Sequence, residues 1–70
     1  MSHDRIVYMA NQIARAFKAK GEDAAIAETA HHIRSFWDPR MRAQLAAHLA
    51  AGGTGLDAAA KAAAERLGNA

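Results

Sequence analysis

An all-α fold, a small bundle of three main helices plus a short C-terminal helix, is what this sequence predicts, and three observations carry the expectation. Apolar side chains recur every three or four positions along most of the chain, the spacing of one helix face. Alanine, the strongest helix former, supplies 20 of the 70 residues. The helix breakers are confined to Gly21, Pro39, a cluster at Gly52, Gly53 and Gly55, and Gly68. The chain therefore reads as a single helical domain, 1–70, with helices over about 4–19, 23–37, 39–51 and 58–67.

In the first helix, Ile6, Met9, Ala10, Ile13 and Phe17 share one face, and Arg5, Tyr8, Gln12 and Arg15 fall on the other. Gly21 is its stop. The second begins near Glu22 and Asp23, where acidic side chains suit the N-terminal end of the helix dipole. Ile26, Ala30, Ile33 and Trp37 form its stripe, flanked by Thr29 and Phe36. Pro39 biases Asp38 away from α geometry, so this helix ends around Trp37. The same two residues open the third helix, with Asp38 as N-cap and Pro39 at the first helical position. Met41, Leu45 and Leu49 make its stripe, His48 sits in its last turn, and Gly52-Gly53 ends it. Almost no loop separates helices two and three, and Trp37 stands at their corner. A turn over residues 54–57 leads to the fourth helix, with Asp57 as its expected N-cap. Alanine covers that helix nearly all round. With only Leu56 and Leu67 to anchor it, it is expected to be the least firmly packed element.

Composition excludes several function classes. With no cysteine there is no disulfide, thiolate zinc site or cysteine-ligated iron–sulfur cluster. A formal net charge of +2 reflects a small excess of arginine and lysine, not the clustered basic face of a nucleic-acid binder. The longest uncharged run, 43–56, is too polar to span a membrane. The N-terminal residues carry charges where a signal peptide needs an apolar core. No membrane association and a cytoplasmic location are expected. A chain this short and unstapled gains stability by self-association, as a homodimer in isolation, or by joining a complex.

No residue pattern suits catalysis. His31 and His32 are adjacent and so diverge by about 100° on a helix, unlike an i, i+4 metal pair. Ser2 is terminal and Ser35 faces away from the apolar stripe. The Gly52-Gly53-Thr54-Gly55 string lacks the lysine and preceding strand of a phosphate-binding loop. No catalytic, cofactor-binding or metal-ligating residue is therefore expected. What stands out is the run Arg34-Ser35-Phe36-Trp37-Asp38-Pro39-Arg40-Met41-Arg42, with the only tryptophan and the only proline. Tryptophan and arginine are enriched in the hot spots of protein interfaces. Trp37, Arg40, Arg42 and Arg34 are thus candidate partner-binding residues, with Tyr8 on the polar face of helix one. The alternative is that Phe36 and Trp37 are core and that the arginines cap or solvate the corner. Arg40 and Arg42, two apart, diverge by about 200° and cannot grip one carboxylate together. One is expected to tie down the corner and the other to face a partner.

The string Met9-Ala10-Asn11-Gln12-Ile13-Ala14, then Phe17, the run His32 to Arg42, His48-Leu49 and the Gly-Gly-x-Gly-Leu turn together resemble the delta subunit of cytosolic NAD-dependent molybdenum formate dehydrogenases. The resemblance covers roughly residues 5 to 57. It implies a multisubunit oxidoreductase that converts formate and NAD to carbon dioxide and NADH. The molybdenum pterin cofactor, iron–sulfur clusters and flavin (FMN) would reside in the other subunits, and this chain would carry no cofactor. It would be a non-catalytic accessory subunit or assembly factor that binds the large molybdenum subunit and supports assembly, cofactor insertion or stability. A nucleic-acid-binding helical module is the alternative, since the tight corner invites a helix-turn-helix reading with Arg40, Arg42 and Gln44 opening a recognition helix. Against it, the corner is shorter than the usual three- to four-residue turn and holds Asp-Pro.

Overall fold

The computed structural model describes residues 3–68; Ser2, considered above, lies outside them. Its elements are α1 (His3–Phe17), a single 3₁₀ turn (Lys18–Lys20), α2 (Glu22–Phe36), α3 (Pro39–Ala50) and α4 (Ala58–Gly68). No strand occurs among the described residues. The all-α bundle is as expected, with helix starts at Pro39 and Ala58 as read and the other boundaries shifted by one or two residues. The α geometry of α1 stops at Phe17 and the next turn tightens to 3₁₀, a common way to satisfy terminal carbonyls. Gly21, at φ 101°, both ends that turn and accepts the first amide bond of α2 through its carbonyl.

The α2–α3 corner follows the expected chemistry. Trp37 is extended (ψ 138°) and its amide still donates to Ile33 O at 3.0 Å. Asp38 caps α3: its Oδ1 accepts from the Met41 amide at 2.9 Å, and Pro39 takes the first helical position. At the other end of α3, the Gly52 amide donates to Leu49 O and the Gly53 amide to His48 O, both at 3.0 Å. This is the paired bonding of a Schellman stop. The Leu56 amide then donates to Gly53 O, closing a turn with Gly55 at φ 87°. A Cβ at Gly55 would make van der Waals contact with Val7 Cγ1 at 3.4 Å, so it is the left-handed conformation that favours glycine there.

The centre is built from Ile6, Ala10 and Ala14 of α1, Ile33 of α2, Leu45 of α3 and the Trp37 corner. Met9, Ile13, Met41, Leu49 and Leu56 pack around it. Two expectations are corrected here. First, α4 is not loosely held. It buries Ala60, Ala63 and Ala64 and shares with α2 one of the two most extensive helix contacts in the molecule. Alanine contributes little apolar area, but it lets two backbones approach closely enough for their full surfaces to pack. Second, the buried face of α2 departs from the expected stripe in its N-terminal half only, Ala30, Ile33 and Trp37 being buried as expected. Ala25 and Thr29 are buried, while Ile26 is only half-buried.

Candidate partner-docking surface

The two arginines of the first turn of α3 separate as their spacing demands: Arg40 is exposed and Arg42 is half-buried. Arg42 turns into a cleft of about 310 Å³ between α2, α3 and α4. Arg34, projecting from α2, lines the same cleft, with Leu45, Ala64 and Leu67 as its apolar lining. Among the described residues, none of Arg34, Arg40 and Arg42 has an ion pair, and the Arg42 Nε–H is buried with no acceptor.

The two aromatics of the corner part ways. Trp37 is 6% exposed and belongs to the core, so in this chain it braces the corner and offers no face to a partner. Its neighbour Phe36 is 74% exposed and leans on the His32 ring at 4.7 Å between centroids. Tyr8 is also exposed, as its position on the polar face requires, and its hydroxyl accepts from Gln12 Nε2 at 3.0 Å.

A second polar region joins α1 to the turn before α4. Asn11 donates through Nδ2 to Gly55 O at 2.9 Å and accepts through Oδ1 from the Asp57 amide at 2.8 Å. Only one orientation of the amide satisfies both bonds. Arg15 Nε pairs with Asp57 Oδ2 at 3.2 Å, so the Asp57 side chain is engaged by α1, while its carbonyl accepts the first amide bond of α4 from Lys61. A larger cleft beside it, about 480 Å³, is lined by Arg15, Asp57, Lys18 and Glu22, charges of both signs. In the last turn of α3, His48 Nε2 lies 2.7 Å from Thr54 O, and its ring meets that of His3 edge-on at 5.5 Å. That contact engages the imidazole in closing the turn after α3. No group of three or more His, Cys, Asp or Glu among the described residues is placed to hold a metal ion.

Sequence reasoning missed Asn11 and Phe36. An asparagine inside a helix is a poor helix former, and that cost was the available signal that its side chain is needed elsewhere. For Phe36 the signal was its position off the stripe that holds Ile33 and Trp37.

The sequence profile of the NADH-dependent formate dehydrogenase delta subunit FdsD matches residues 5–64. The chain belongs to this family. Delta subunits are parts of a formate dehydrogenase complex, so family membership implies partner subunits. No curated protein and no solved structure matches the chain. No helix of this delta-family chain is long and apolar enough, among the described residues, to cross a membrane.

Proposed function

We propose that the chain is a non-catalytic, cytoplasmic accessory subunit of an NAD-dependent formate dehydrogenase. It binds the large molybdenum subunit and supports assembly, cofactor insertion or stability, while the molybdenum pterin, iron–sulfur clusters, FMN and NAD are held by the other subunits. The observation that carries this reading is an unneutralised cationic end of the bundle, formed by Arg34, Arg40 and Arg42, in a chain of the delta-subunit family. Arginines without counter-ions in the free chain are suited to acidic groups on a partner. Trp37 contributes from beneath by holding the corner that presents them, and Tyr8 extends the surface along α1.

Co-purification with the large subunit tests the reading. The wild-type chain is expected to be retained. Arg40→Glu, at the outward position, should weaken the complex by a few kcal/mol where the contact is buried, with helical content unchanged by circular dichroism. A large subunit that is equally stable and active when expressed without the chain, and does not retain it, would defeat the proposal. Filter binding over a salt series addresses the nucleic-acid alternative: a steep negative log–log slope with DNA would favour that module instead.

A further inference from the structure

We infer that the cleft between α2, α3 and α4 is a carboxylate-receiving site, in which Arg34 and Arg42 hold an acidic side chain from an extended polypeptide segment. This deepens the docking proposal and rests on it only for the identity of the partner. Three observations point to the ligand's chemistry. Among the described residues, the cleft has two guanidinium groups and no carboxylate in its lining. Neither arginine is paired among the described residues. The Arg42 Nε–H is buried with no acceptor, and a buried donor left unpaired carries a desolvation cost. Arginine remains protonated at any working pH, so the cleft is permanently cationic.

The cleft of about 480 Å³ at the start of α2 and α4 shows that this is a local property. There Arg15 is matched by Asp57, and Glu22 lines the wall with Lys18, so its charges balance internally. The size and lining of the Arg34–Arg42 cleft select among anionic occupants. At about 310 Å³ it lies at the small end of ligand sites and holds one or two side chains, not a folded surface. Leu45, Ala64 and Leu67 would be left uncovered by a free inorganic anion, whereas the methylenes of a glutamate and an adjacent aliphatic residue cover them. Guanidinium forks accept a carboxylate through two parallel N–H bonds, and exclusion of water by the apolar walls strengthens both.

The test needs no dehydrogenase subunit, so its failure is separate from failure of the docking proposal. The full chain is melted by circular dichroism in the presence of acetyl-Leu-Glu-Leu-Glu-Leu-amide, its glutamine counterpart, or sodium phosphate. The glutamate peptide is expected to raise Tm with concentration, and the other two to leave it unchanged. Arg34→Gln and Arg42→Gln should each raise the apparent Kd at least about tenfold, and Arg40→Gln, outside the cleft, less than about threefold. Arg34 is exposed, so Arg34→Gln keeps the test valid should Arg42→Gln fail to fold. An equal shift with phosphate would make this a small-anion site and overturn the inference. So would an equal shift with the glutamine peptide, an equal loss in Arg40→Gln, or no shift with the glutamate peptide up to about 5 mM.

Discussion

Replacing Asn11 by alanine removes both bonds that tie α1 to the turn before α4. Each hydrogen bond contributes about 0.5–1.5 kcal/mol net. The two bonds together, to Gly55 O at 2.9 Å and from the Asp57 amide at 2.8 Å, therefore amount to about 1–3 kcal/mol. Alanine returns about 0.7 kcal/mol as the better helix former, so the expected net loss is about 0.3–2.3 kcal/mol. In a domain of this size that lowers Tm by about 1–18 °C. Arg15→Ala provides the comparison, because it removes the ion pair to the same turn and leaves the amide bonds intact. With Arg15 67% exposed, solvent screening limits its loss to below about 1 kcal/mol. Thermal melts by circular dichroism, with a urea series to confirm an unchanged m-value, measure both. If Asn11→Ala melts as wild type does, within about 1 °C, or Arg15→Ala costs more, the turn is held by packing and the clamp argument is wrong.

Three further substitutions probe the fold. Asp38→Ala should cost about 0.5–2 kcal/mol by leaving the Met41 amide without its cap, visible as a lower Tm. Thr29→Val should stabilise by about 1–3 kcal/mol, since the buried Thr29 Oγ1 has no hydrogen-bond partner and valine fills the same shape without a hydroxyl to desolvate; the urea midpoint should rise. Ala63→Leu should cost at least about 1–3 kcal/mol by overpacking a fully buried position, and differential calorimetry should record the drop.

Much of the fold was legible because its punctuation is local. Gly21, the Asp38-Pro39 pair and Gly52-Gly53 each act through their own backbone, and each ends or begins a helix as read. The divergence of Arg40 and Arg42 follows from helix geometry alone, and their exposed and half-buried positions agree with it. What was not legible depends on distance in the chain. The closeness of α4 to α2 is a property of two facing surfaces, and alanine carries too weak a hydropathy signal to announce it. Asn11 finds its partners 44 and 46 residues downstream, which no helical wheel can display.

The position of α4 has a consequence for the order of events during synthesis. The cationic cleft has two of its walls from α2 and α3, but Ala64 and Leu67 come from the last helix. A nascent chain that has emerged only through α3 possesses Arg34 and Arg42 without the surface that gathers them into a receptor. If the cleft receives a partner segment as inferred, recognition would wait until α4 has left the ribosome and docked on α2, and a product that ends before α4 would bind that segment more weakly even with both arginines intact.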